Sequence, residues 1–169
     1  MMREGNLDTK SIAVIAVMSA LTMVATMISV NFAPTGGYFN FGDVIVVTTA
    51  LLFGPIVGGL TGGIGPALAD IYLGYGLFAP FTLVIKGLEG LVVGYIAGGK
   101  PGVPRNRKII AWLCGGVIII VGYWIAEVVF LGMTVEYATA EAITINSLQA
   151  IISVLGIPIS DQVRKRLNL

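Results

Sequence analysis

The sequence predicts an all-α integral membrane protein: six transmembrane helices in one compact bundle over residues 1–169, with N- and C-termini cytoplasmic. Three observations lead there. Hydrophobic residues make up 56% of the chain and charged residues only 11%, too little polar surface for a protein dissolved in water. Apolar runs recur at lengths close to the roughly 20 residues a helix needs to cross a bilayer. The basic residues fall into three short groups, at Arg3 and Lys10, at Lys100, Arg105, Arg107 and Lys108, and at Arg164, Lys165 and Arg166. The positive-inside rule assigns all three groups to the cytoplasmic face.

The first span is expected at about 11–30. Its charged leader is mixed in sign and no small-residue cleavage site follows, so it reads as a retained helix rather than a secretory signal. Ala13, Ala16 and Ala20 give it a smooth face that another helix can approach closely. The second span, about 43–53, is short and is separated from the third, about 55–73, by Gly54 and Pro55. Proline is favoured at a helix start, which supports a tight turn there. In the third, Gly54, Gly58 and Gly62, with Gly59 and Gly63, repeat at the four-residue spacing of close helix packing. The remaining spans are expected at about 78–98, 109–131 and 138–159. Parity supports the count: four spans and then two separate the basic groups, keeping each on the same side.

Polar residues inside these spans mark the function. Lys86 and Glu89 lie mid-way along the fourth run, where a charge costs roughly 2.5 to 3.5 kcal/mol on insertion scales and so points to an internal site. At a rise of about 1.5 Å per residue, Lys86 lies some 12 Å below the outer end of its helix. Asp43 falls in the first turn of the second span, Asp70 about one turn below the outer end of the third, and Glu127 near the outer end of the fifth. Glu141, Asn146 and Gln149 descend from the outer surface along the sixth, the last two sharing a helical face. Glu89 is the deepest charge. The distribution describes an outward cavity with a hydrophobic floor.

Each residue has a plainer reading as well. Asp43 serves equally as a helix cap. Asp70 and Glu89 are alternative ion-pair partners for Lys86, yet one lysine cannot neutralise Asp43, Asp70, Glu89, Glu127 and Glu141 together. Tyr123, Trp124 and Glu127 within one turn suit an aromatic ligand bearing hydrogen-bond donors, or an outer aromatic belt. Asn146 and Gln149 contact a ligand or bond neighbouring helices. The first external loop, residues 31–42, reads NFAPTGGYFNFG; Phe32, Tyr38, Phe39 and Phe41 suit stacking on a planar ligand, and Asn31 and Asn40 offer directional hydrogen bonds. It forms either a lid or an interfacial belt.

Other chemistry is disfavoured. The chain has no histidine and a single cysteine, Cys114, which argues against common transition-metal sites, thiol redox pairs and intramolecular disulfides. A net charge of +1 offers no basic surface for nucleic acid. The segment GYIAGGK at Gly94 to Lys100 matches most of a Walker A pattern, but Pro101 replaces the required Ser or Thr and no strand precedes it.

The runs FNFGDVIVVTTALLFGPIVGGLTGGIGPALADIYLGY and APFTLVIKGLEGLVVGYIAG resemble the substrate-binding S components of energy-coupling factor (ECF) vitamin transporters. The resemblance extends to the alanine-bearing first helix, the aromatic loop and the Asn146 and Gln149 pair. Its GD, FGP, AD, GY and KG elements look most like the subgroup for hydroxymethylpyrimidine or pyridoxine-type precursors. It implies six membrane helices in a prokaryotic cytoplasmic membrane, no cofactor, no activity as an enzyme, and partners comprising a membrane coupling protein and two cytoplasmic ATPases. It further implies an outer ligand pocket, for which the candidates are Asn31, Tyr38, Asn40, Asp43, Asp70, Tyr75, Lys86, Glu89, Tyr123, Trp124, Glu127, Asn146 and Gln149. Ala16 and Ala20 match the family's docking motif, and Ala13 extends that face. The alternatives are a proton-coupled secondary transporter using Asp70, Glu89 or Glu127 as a relay, and an intramembrane enzyme, for which no nucleophile or metal cluster is visible.

Overall fold

A computed structural model describes residues 8–31 and 37–168, with Asn31 described by its backbone alone. Helix α1 (Thr9–Met27) opens where the Asp8 carboxylate accepts the Ser11 N–H at 2.8 Å, filling one of the unsatisfied donors of a helix start. It stops short of the predicted residue 30 because Ser29–Asn31 (β1) pairs antiparallel with Tyr38–Asn40 (β2), Val30 lying opposite Phe39. The expected all-α chain therefore carries a small ribbon, built where β-branched and aromatic residues favour a strand. The loop over 31–42 is partly this hairpin.

Helix α2 (Gly42–Phe53) is buried along most of its length. Its 12 residues rise about 18 Å, too little to cross a bilayer alone. Both ends are charged. Asp43 stands in its first turn, and at the other end the Arg164 guanidinium donates to the carbonyls of Leu51 at 3.0 Å and Leu52 at 3.1 Å, while Gly99 N–H donates to Leu51 at 3.2 Å. These donors satisfy carbonyls that have no partner within the helix and suit the negative end of its dipole.

Helix α3 (Pro55–Leu73) follows the Gly54 turn, where φ is +89°, and α4 (Ala79–Ala97) returns beside it. The two backbones touch through glycine. A methyl group placed at Gly58 would lie 2.8 Å from the Gly90 carbonyl, and one at Gly94 would lie 2.6 Å from Pro55 Cα. Gly65, on another face of α3, approaches the Ser19 carbonyl of α1 as closely.

Helix α5 (Arg105–Ile125) runs on into a π-helical turn, Ala126–Phe130. The last helical run starts at Val135 and reaches Leu167, three residues before and eight after its expected bounds. It comprises α6 (Val135–Glu141), a π turn (Ala142–Asn146), α7 (Ser147–Ile152), a 3-10 turn (Ser153–Leu155) and α8 (Gly156–Leu167). Among the described residues, five runs are long and apolar enough to cross a membrane: Thr9–Met27, Pro55–Leu73, Ala79–Ala97, Arg105–Phe130 and Val135–Leu167.

Packing is inverted relative to a water-soluble protein. Val17, Val24, Leu88, Val117, Ile143 and Ile151 are exposed, whereas Asp43, Asp70, Lys86, Glu89, Glu127 and Glu141 are buried. An apolar exterior this extensive matches lipid as the surrounding solvent. Polar side chains in the interior find local partners: the Thr26 hydroxyl donates to the Thr22 carbonyl at 2.8 Å, and the Thr48 hydroxyl to Val44 at 2.7 Å.

Candidate functional site

The polar residues converge on one cavity at the hairpin end of the bundle. It holds about 80 Å³ of space open to the centre of a water-sized sphere. Tyr38 and Asn40 from β2, Asp70 from α3, Tyr75 from the α3–α4 turn, and Lys86 from α4 line it. Tyr123 and Glu127 from α5 and its π turn, with Asn146 and Gln149 from the last run, line it as well.

Local structure explains how each arrives. The Asn40 carbonyl oxygen accepts the Gly42 N–H at 2.9 Å, so it also sets the start of α2. The glycine seam lets α4 approach α3 until Gly62 faces the Lys86 carbonyl, which fixes the lysine's height. Glu127 and Asn146 both lie in π turns. A π turn adds one residue to the helical circuit and rotates the side chains beyond it, and such turns are frequent at functional sites.

Lys86 is 2% exposed and is paired with Asp43, its Nζ lying within hydrogen-bond reach of Oδ1 and 2.6 Å from Oδ2. Gln149 Nε2 donates to Asp43 Oδ2 at 2.9 Å. This corrects the expected pairing of Lys86 with Asp70 or Glu89. It also corrects the reading of Asp43 as a cap, since no side-chain hydrogen bond caps α2. Asp43 stands behind the cavity wall and anchors two residues that do line it. Glu89 is fully buried below, close enough to Asp43 and Lys86 to feel both charges. Its two carboxyl oxygens have no hydrogen-bond partner among the described residues, and it does not line the cavity.

Asp70 accepts the Tyr38 phenol instead. Burial, and then the Asp70 carboxylate, push the Tyr38 phenol well above its ordinary pKa, so it stays a donor. The Tyr38 and Tyr75 rings lie 4.7 Å apart. Tyr123 shares a hydrogen bond of 2.9 Å with the Thr82 hydroxyl, and its ring centroid lies 5.7 Å from Lys86 Nζ. Trp124 turns away: its indole N–H donates to the Thr139 hydroxyl at 3.2 Å, outside the cavity. Phe39 and Phe41 also lie off the wall and contact each other edge to face at 5.2 Å. Phe32 and the Asn31 side chain fall outside the described residues.

Sequence reasoning leaves Tyr137, Thr82, Thr26 and Phe78 out of the site, although all four line the cavity. Tyr137 falls ahead of the expected last span. A signal exists for it: the Thr134 hydroxyl accepts the Tyr137 N–H at 3.2 Å, and a threonine followed by an acidic residue in the first turn marks a helix start. Glu141 also lines the cavity, accepts the Tyr137 phenol at 3.3 Å, and is covered by Gly37 so closely that any side chain there would collide with its carboxylate.

The arrangement is that of a small-molecule binding site, with aromatic walls, a few directed polar groups and burial between helices. The sequence pattern of the family described as ECF-type riboflavin transporter, S component, matches residues 6–165. The chain belongs to that family. This S component is 41% identical over 104 residues to an uncharacterized protein in gap 3' region of Pyrococcus woesei, a match covering 62% of the chain and 68% of the relative. It is 33% identical over 85 residues to a UPF0397 protein of Streptococcus pneumoniae serotype 19F (strain G54), covering 50% of the chain and 46% of the relative. The chain thus spans about half the length of that relative. The crystal structure of FolT bound with folic acid shares the fold, with a TM-score of 0.66, 22% identity, and coverage of 87% of this chain and 92% of that one. The family is one of substrate-binding transporter components and not of enzymes, and the cavity is read accordingly.

Proposed function

We propose that this S component captures a small aromatic vitamin or vitamin precursor from outside the cell, with a hydroxymethylpyrimidine- or pyridoxine-like compound favoured, and releases it inside. The observation that carries the reading is the set of unmatched hydrogen-bonding groups on the cavity wall. Glu127 Oε2 and Asn146 Nδ2 are buried and without a hydrogen-bond partner among the described residues. Buried polar groups are nearly always satisfied, so these await a ligand. Single-ring compounds with amino and hydroxyl groups suit a cavity of this size, and the tyrosines offer faces for stacking.

Around that site the topology follows the positive-inside rule. The five long runs, and α2 lengthened by the hairpin strand that leads into it, form six spans; the basic groups face the cytoplasm with both termini, and the hairpin end faces outward. The loop at 31–42 acts as a lid through Tyr38 and Asn40. Ala13, Ala16 and Ala20 are exposed on α1 and dock the coupling protein, which with two ATPases supplies the energy. The protein resides in a prokaryotic cytoplasmic membrane, and its 169 residues act as a single membrane domain.

Mass spectrometry of the purified protein is expected to find a bound vitamin-like compound, and cells co-expressing the coupling module are expected to take it up. Uptake that persists without the ATPases and collapses with an uncoupler would overturn this reading in favour of a proton-coupled transporter.

A further inference from the structure

The cavity's charge is unbalanced. Among the ten Lys and Arg residues, Lys86 alone lies away from the basic groups at the helix ends, and it is committed to Asp43. The segment at 32–36 reads FAPTG and brings no charge. The wall nevertheless carries Asp70, Glu127 and Glu141. Phenols from Tyr38 and Tyr137 hydrogen-bond Asp70 and Glu141, which spreads their charge without cancelling it. Glu127 and Glu141 line the same cavity. Glu127 is 3% exposed, and its Oε2 has no hydrogen-bond partner among the described residues. Asn146, 5% exposed on the same wall, has an amide nitrogen equally unmatched.

A buried carboxylate without a counter-charge is costly, and among the described residues the cavity's lysine is already paired with Asp43. Building on the reading of the protein as a vitamin-binding subunit, we propose that its ligand presents a cationic group to Glu127 and Glu141 and an acceptor to the Asn146 amide. The cation is an alkylammonium or a positively charged ring nitrogen. Tyr75, Tyr123 and Tyr137 also line the cavity, and aromatic rings suit a cation. Anionic vitamins are rejected by the same carboxylates, because specificity can be built from repulsion as well as attraction.

Three probes on one ring test the charge: 4-amino-2-methylpyrimidine bearing aminomethyl, hydroxymethyl or carboxylate at position 5, titrated calorimetrically into the purified protein. The aminomethyl compound is expected to bind about tenfold more tightly than the hydroxymethyl one and roughly a hundredfold more tightly than the carboxylate. Glu127→Gln is expected to shrink the first ratio to about threefold or less while holding the unfolding midpoint of the empty protein at or above that of the parent, because it removes an unpaired buried charge. Equal or tighter binding of the carboxylate overturns the proposal, as does failure of all three probes or an anion retained on purification. The subunit reading fails separately, only if co-expression with the coupling module gives no ATPase-dependent uptake of any compound.

Discussion

At the scale of single residues, the buried Lys86–Asp43 pair anchors part of the cavity wall. Removing one member of a buried ion pair leaves the other stranded, and Asp43→Asn is expected to cost about 3–5 kcal/mol. A lowered midpoint of thermal unfolding in detergent would register it. The double replacement Asp43→Leu with Lys86→Met should recover most of that loss; if it is no more stable than the single variant, the pair has a further role. Replacing Glu127 or Asn146 with Ala should weaken ligand binding roughly tenfold with modest loss of fold, measured by calorimetry beside thermal unfolding. These residues are legible in the sequence only in part. Sequence gives depth, because the helical rise is fixed, and depth alone groups Asp70, Glu127, Asn146 and Gln149 with Lys86. It does not give the azimuth of each helix or which helices are neighbours. The partner of Lys86 escapes sequence reasoning for that reason, since Asp43 lies 43 residues away on a helix whose rotation no local pattern specifies. Trp124 escapes it likewise, one residue from Tyr123 and yet facing another direction.

At the scale of elements, the glycine seam between α3 and α4 is readable because close packing needs small residues at one-turn spacing. Its energetic weight can be measured. Gly90→Ala drives a methyl group into the Gly58 carbonyl and should cost about 1–3 kcal/mol, whereas Gly76, with no atom within 4 Å of an added methyl, should accept Ala with little change in unfolding midpoint. Equal midpoints for the two variants would show that the seam can widen freely. The π turns at Ala126–Phe130 and Ala142–Asn146 are not readable. Each depends on one extra residue in a hydrogen-bonded ladder, and hydrophobic periodicity averages over that. The β1–β2 ribbon is hidden for a related reason: its three-residue strands are too short to show an alternating pattern.

At the scale of the whole molecule, the proposed ligand site and the proposed docking face lie on different surfaces. The cavity opens at the hairpin end, while Ala13, Ala16 and Ala20 lie exposed along the outer side of α1. Ala16→Leu or Ala20→Leu is therefore expected to leave calorimetric affinity within about twofold of the parent and to abolish uptake by the co-expressed complex. Loss of affinity in either variant would show that the two surfaces communicate. Helix α2 limits what any internal movement can be. Asp43 at one end is tied to Lys86 and Gln149, and the carbonyls at the other end are tied to Arg164 and Gly99. A piston stroke of even one residue, about 1.5 Å, would stretch the links at both ends together. Helix α2 is thus a spacer of fixed length, and inward transfer under the proposed function is expected to move the whole frame rather than slide the rod at its centre.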